Sequence, residues 1–150
     1  MNRRELLIGA AAMAATAIGS NAFAAEHRHD HAAMAHDHAT SSRNEKLIAA
    51  AADCVLKATI CLQHCISALG MGDTSMAECA QTSSQVIAMC TALEQMAAAE
   101  SKHLSKLAKV CMDVCKACEE ECKKTEKHPE CKACKESCAA CYDACKAVAA

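Results

Sequence analysis

Cys111-Met-Asp-Val-Cys115-Lys-Ala-Cys118-Glu-Glu-Glu-Cys122 and, after an eight-residue interval, Cys131-Lys-Ala-Cys134-Lys-Glu-Ser-Cys138-Ala-Ala-Cys141-Tyr-Asp-Ala-Cys145 decide how this chain folds. The cysteines step by 4, 3, 4 in the first stretch and by 3, 4, 3, 4 in the second. Steps of three and four keep side chains on one face of an α-helix, the stripe that a bundle helix turns to its core, usually with leucine. Here cysteine stands in leucine's place. Working outward, the same stripe holds Cys54, Cys61 and Cys65 with Ala58 in its gap, and Cys79 and Cys90 with Ser83 and Val86 between them.

Helix boundaries follow from the intervening residues. Ser42 and Glu45 form a capping box that opens a first helix running to about Leu69. Gly70 and Gly72 break it, and Asp73, Thr74 and Ser75 restart the chain, with Ser75 and Glu78 as a second capping box. The second helix runs to about Ala98. Between Ala97 and Lys102 there is neither Gly nor Pro, and Ser101 is the best cap for a third helix ending near Lys124. Pro129, the only proline, opens the fourth, because its missing N–H costs nothing at the first helical position. Short connections make residues 42–150 an all-α protein, an antiparallel up-down-up-down four-helix bundle with a cysteine-lined core.

Facing residues of an antiparallel helix pair have sequence numbers that add to a nearly constant total. The pairs 122/131, 118/134, 115/138 and 111/141 give 252 or 253, the pairs 65/79 and 54/90 give 144, and 79/122 and 90/111 give 201. Half of each total falls on a turn already placed by other means. The register stacks Cys65, Cys79, Cys122 and Cys131 near one end of the bundle, and Cys54, Cys90, Cys111 and Cys141 toward the other.

Upstream, Arg3-Arg4 precedes an apolar run from Leu6 to Ile18, and Ala22-Phe23-Ala24 closes it with small residues at the cleavage spacing. Residues 1–24 therefore read as a signal peptide of twin-arginine type, and the protein is expected to be exported to the periplasm. The run is too short for a permanent membrane span, and no later segment is expected to cross a bilayer. Residues 25–41 carry His27, His29, His31, His36 and His38 with Met34 and read as a disordered tail. Without the leader the chain keeps 14 basic and 17 acidic residues, a balance that argues against nucleic acid as a partner. Tyr142 is then the only aromatic, so something other than aromatic rings must fill the core.

All fourteen cysteines lie beyond the leader, and such density in an exported chain ordinarily means disulfides. Helical spacing opposes that. Side chains three or four apart have Cβ atoms about 5–6 Å apart, whereas a disulfide needs about 3.8 Å. Two sulfurs sharing one metal ion tolerate a wider gap, with metal–thiolate bonds of about 2.3 Å. Zinc and iron–sulfur sites draw on loops in closed groups of four, and this ladder has no such grouping. Haem attachment is excluded too, because Glu119, Lys135 and Tyr142, never His, follow the C-x-x-C pairs.

Copper(I) fits. It is soft, accepts two or three thiolates and shares sulfurs with neighbouring ions. Seven such ions on fourteen thiolates would bury a large negative charge, whereas one ion per cysteine is neutral, so the expected capacity is about one per sulfur. The expected ligands are Cys54, Cys61, Cys65, Cys79, Cys90, Cys111, Cys115, Cys118, Cys122, Cys131, Cys134, Cys138, Cys141 and Cys145. No Ser/His/Asp or paired-carboxylate pattern supports catalysis, so a binding protein, not an enzyme, is expected. The alternatives at this level are an exported iron–sulfur electron carrier and a disulfide-stapled structural protein.

Cys61-Leu-Gln-His-Cys65, Met71-Gly-Asp-Thr-Ser-Met76, Cys111-Met-Asp-Val-Cys115-Lys-Ala-Cys118 and Cys138-Ala-Ala-Cys141-Tyr-Asp-Ala-Cys145 together resemble the bacterial copper storage proteins, the Csp family, from about Arg43 onward. The resemblance implies reversible storage of many Cu(I) ions, for supply to copper enzymes and protection from free copper. It also implies a homo-oligomer, commonly a tetramer, and twin-arginine export. A copper-dependent membrane oxidase or monooxygenase is then the expected recipient. In exported members a histidine and several methionines guard one open end of the bundle; the matching residues are His64, Met71 and Met76, while Ala68 stands where a further methionine is sometimes found. The register puts His128 at the same end. Met89, Met96 and Met112 read as packing residues, and His103 as a polar position at the start of the third helix.

Overall fold

A computed structural model describes residues 44–150; the expected leader, the histidine-rich tail and the Ser42 half of the first capping box lie outside them. Four helices make up the described chain: α1 (Glu45–Gly70), α2 (Ala77–Ala98), α3 (Leu104–Lys124) and α4 (Pro129–Lys146), with a short 3-10 turn, Thr74–Met76, ahead of α2. No strand occurs among the described residues. Each helix packs on two others, α1 and α3 both lying against α2 and α4, so the four form a bundle around one core.

The turns explain the boundaries. Gly72, at φ +93°, ends α1 in a Schellman motif: its N–H donates to Leu69 O (2.9 Å), and Asp73 N–H to Ala68 O (3.0 Å). A residue with a Cβ is strained in that backbone state, which is why glycine stands there. Asp73 then caps the 3-10 turn, its carboxylate accepting from Ser75 N–H (3.1 Å) and Ser75 Oγ (2.6 Å). The Ser75–Glu78 capping box therefore does not form. Ser75 lies inside the 3-10 turn, and α2 starts at Ala77 with Met76, not Ser75, at its N-cap and no side-chain cap.

α2 closes the same way without glycine. Glu100 takes the left-handed position at φ +47°, with Glu100 N–H to Ala97 O (3.2 Å) and Ser101 N–H to Met96 O (3.0 Å). Ser101 acts one turn early: its hydroxyl accepts from His103 N–H (3.2 Å) in the connecting turn, while α3 itself starts after His103 with no side-chain cap. Pro129 opens α4, and His128 before it is extended, as a residue preceding proline must be.

The core is a single column. Fourteen buried cysteines fill most of it, and Leu47, Ala51, Leu93, Ala97, Leu104 and Ala108 close the end at which Asn44 Nδ2 donates to Ala97 O (3.0 Å). Met89, Met96 and Met112 pack against it half-buried, as does Tyr142. One expectation needs correcting. By length and mean hydropathy (1.3 over its most apolar window) α1 is a possible membrane span. Its inward stripe, from Leu47 to Ala68, is nevertheless packed inside the bundle.

Candidate metal centre

Because each helix repeats its stripe at three- and four-residue steps, the sulfurs meet both along a helix and across helices. Along one helix, Cys61–Cys65 is 4.0 Å, Cys111–Cys115 3.9 Å and Cys118–Cys122 3.9 Å. Across helices, Cys79–Cys122 is 3.5 Å, Cys61–Cys79 3.6 Å, Cys61–Cys131 3.7 Å, Cys118–Cys134 3.8 Å and Cys90–Cys141 3.7 Å. All fourteen are free and buried. Three sulfurs around one ion at bonds of about 2.3 Å lie about 4.0 Å apart, and two on opposite sides about 4.6 Å apart. The spacing is that of thiolates able to share an ion.

The sulfurs gather into overlapping groups: Cys61/Cys65/Cys79/Cys131, Cys61/Cys122/Cys134, Cys118/Cys134/Cys138, Cys54/Cys90/Cys115/Cys141 and Cys111/Cys141/Cys145. The two end layers read from the sequence are thus close but not identical to the observed ones. Cys61 replaces Cys122 in one and Cys115 replaces Cys111 in the other. Helical side chains lean toward the N-terminus, so a residue one turn away shares the layer of the residue directly opposite. The result is a continuous ladder in place of flat rungs.

Electrostatics divides the thiols into two kinds. Hydrogen bonding to Cys115 pulls the Cys54 and Cys111 thiols far below their ordinary value, while contact with Cys111 pushes Cys115, Cys90 and Cys145 far above it. Likewise Cys122 lowers Cys118, and Cys118 raises Cys122 and Cys138. Cys118 also raises Cys134, but the hydrogen bonds from Cys122, Cys138 and Cys61 outweigh it and bring that thiol to about 6. A thiolate that accepts S–H bonds from its neighbours is stabilised, and those neighbours then hold their protons. Several bare thiolates side by side in a dry core would be prohibitive. Metal ions that replace the protons remove that conflict.

One end of the ladder carries different chemistry. His64 and His128 lie with ring centroids 4.6 Å apart and planes tilted by 48°, and His64 Nδ1 is 3.7 Å from Glu130 Oε2. Nε2 of both rings and Oε2 of Glu130 are buried and make no hydrogen bond. Thr125 Oγ1 donates to Cys79 Sγ (3.7 Å) at the same end. Met76 is wholly buried there, whereas Met71 is 83% exposed, so the two methionines grouped by sequence have different surroundings. His103 is exposed at the start of α3. Glu130 and Thr125 escaped the sequence reading. Glu130 adjoins Cys131, which the register already set at the His64 end, and that neighbourhood was the available clue.

Buried thiols in groups of three and four on a helical bundle define a cysteine-rich metal-binding protein. The model of the copper storage protein family, Csp, matches residues 39–150, and the chain belongs to that family. A comparison with curated proteins gave no match. The protein stores copper on the thiolates of its core.

Proposed function

We propose that the stored metal is Cu(I), held at about one ion per cysteine by all fourteen core sulfurs of an up-down-up-down bundle spanning residues 42–150. The observation that carries this reading is the unbroken sulfur ladder, with cross-helix contacts of 3.5–4.0 Å, which suits a soft ion that shares thiolates. Neutrality favours the same stoichiometry, since each Cu(I) balances one thiolate. The up-down course is supported by the order of contacts, Cys61 meeting Cys79 and Cys131 while Cys54 meets Cys138.

His64, Met71 and Met76 are the proposed access residues, with His128 beside them. The protein acts as a store, not a catalyst, and is exported to the periplasm by a twin-arginine leader over residues 1–24. Residues 25–41 form a histidine-rich tail. A homo-oligomer, by resemblance a tetramer, accounts for Leu56, Ile60 and Ile66, which leave apolar surface exposed along α1. The proposed recipient is a copper-dependent membrane oxidase or monooxygenase.

Anaerobic titration with Cu(I) against a competing chelator tests the reading. Saturation near one ion per cysteine is expected; saturation at one or two ions per chain overturns storage. An absorbance band near 400 nm in the protein as isolated would instead mark the iron–sulfur alternative.

A further inference from the structure

The ladder has a waist. Cys61, Cys65, Cys79, Cys118, Cys122, Cys131, Cys134 and Cys138 form one set of linked sulfurs; Cys54, Cys90, Cys111, Cys115, Cys141 and Cys145 form the other. Every group of three or four sulfurs falls within one set or the other. One sulfur–sulfur hydrogen-bonding contact crosses between them, Cys54–Cys138 at 3.7 Å. At this level α1 turns Ala58 inward and α2 turns Ser83 and Val86 inward, all wholly buried. A methyl and an isopropyl group offer no ligand. Ser83 Oγ, 3.9 Å from Cys118 Sγ, is a hard oxygen that suits Cu(I) poorly.

The outer limits of the two sets differ as well. The eight-sulfur set ends at His64, Met76 and His128, whereas the six-sulfur set ends against Leu47, Leu93, Leu104 and their alanine neighbours. A surface pocket beyond those aliphatic residues is lined by Asn44, Glu100, Ser101 and Val148 among others, without cysteine, histidine or methionine. Among the described residues, imidazole thus meets the sulfur ladder at one end only. Toward the other end the soft side chains near the surface are the half-buried thioethers of Met96 and Met112, the latter lining a second pocket without cysteine or histidine.

Resting on the reading of the cysteines as copper ligands, we infer that the protein is a two-compartment store in which Cys138 and Cys54, the closest pair of sulfurs across the waist, form the relay between an outer pool and an inner pool. At 3.7 Å both sulfurs reach one ion at once, so Cys54 binds before Cys138 lets go. The exchange is balanced without an oxidant or reductant. The Cys54 thiolate forms its bond to copper as the Cys138–copper bond breaks, the negative charge passes from Cys54 to the freed Cys138 sulfur, and copper stays Cu(I). Release from the inner pool follows the same path in reverse.

Timed anaerobic transfer of Cu(I) from a coloured chelator complex to the full chain tests the relay, comparing wild type with Cys54→Ser, Cys138→Ser and the inner-pool control Cys145→Ser. Circular dichroism checks that each variant is folded. In either relay variant the inner ions are expected to arrive about tenfold or more slowly, since each ~1.4 kcal/mol of added barrier is a decade in rate. The control is expected to lose about one ion and keep its filling rate. Ala58→Cys gives the complementary arm. Position 58 is one turn from both Cys54 and Cys61, so a sulfur there supplies a second crossing and is expected to restore fast inner filling to Cys138→Ser. If the relay variants merely lose the ion of the missing sulfur, with filling otherwise unchanged, the relay is wrong. A wild type that takes up only one or two ions would instead defeat the storage reading itself.

Discussion

The two ends of the bundle are built on the same helical stripe from different atoms. At the end bearing residues 71–76 and 125–129, sulfur continues to the last core layer and is met by imidazoles, a thioether and a carboxylate. At the other end the stripe turns to Leu47, Ala51, Leu93, Ala97, Leu104 and Ala108, which bind nothing. The difference separates two roles that a core usually combines. Thiols are small and their burial contributes little apolar surface, so the aliphatic end must carry a large share of the stability of the metal-free chain. The sulfur end can then be arranged for ligand exchange.

The largest expected effect breaks the comparison from the aliphatic side. Leu93→Ala is expected to lower the stability of the metal-free protein by about 2–5 kcal/mol, as deletion of a wholly buried leucine side chain does, yet leave copper capacity unchanged. Urea unfolding and copper titration on the same variant check both halves. A drop in capacity with unaltered stability would reverse the division of labour.

The next test uses pH at the sulfur end. Burial pushes the Cys131 thiol up to about 12, so throughout the neutral range copper must displace its proton. The hydrogen bond with Cys122 brings Cys61 down to about 7, so its proton opposes binding only below that pH. Affinity should therefore rise with pH by about tenfold per unit for each proton displaced, more steeply below neutrality than above it. Competition titrations at several pH values read the slope. A pH-independent affinity would contradict thiol coordination in this group.

A smaller effect concerns speed. His64→Ala together with His128→Ala is expected to slow copper uptake while total capacity stays the same, because the paired imidazoles stand outside the sulfur ladder. Loss of capacity would make them storage ligands, and unchanged kinetics would move the point of access elsewhere. The smallest expected effect lies at the aliphatic end, where Glu100 occupies a left-handed backbone position. Glu100→Gly should stabilise the protein by roughly 1 kcal/mol without touching copper binding, as measured by thermal unfolding.

Much of this architecture was legible in the sequence for a physical reason. A core stripe written in one residue type is easy to follow, and Gly72 and Pro129 have backbone preferences that mark turns outright. The α2–α3 turn was harder, because Glu100 adopts a conformation that its own chemistry does not favour and that only the surrounding hydrogen bonds impose. Asp73 took the capping place because the chain enters α2 through a 3-10 turn in which Ser75 is a donor to the Asp73 carboxylate, and sequence alone does not show that turn. The sulfur groups were read to within one turn. The exchange of Cys61 for Cys122 and of Cys115 for Cys111 arises from side-chain lean, which number sums do not contain. The His64–His128–Glu130 cluster depends on how the turn before α4 folds back over α1.

The claim beneath all of these is that neighbouring copper ions share the ladder's sulfurs. X-ray absorption at the copper edge of the fully charged protein tests it directly. The account predicts sulfur neighbours at about 2.3 Å, together with a copper–copper scattering shell from ions bridged by common thiolates. Light-atom coordination, or sulfur coordination without any metal–metal shell, would contradict it.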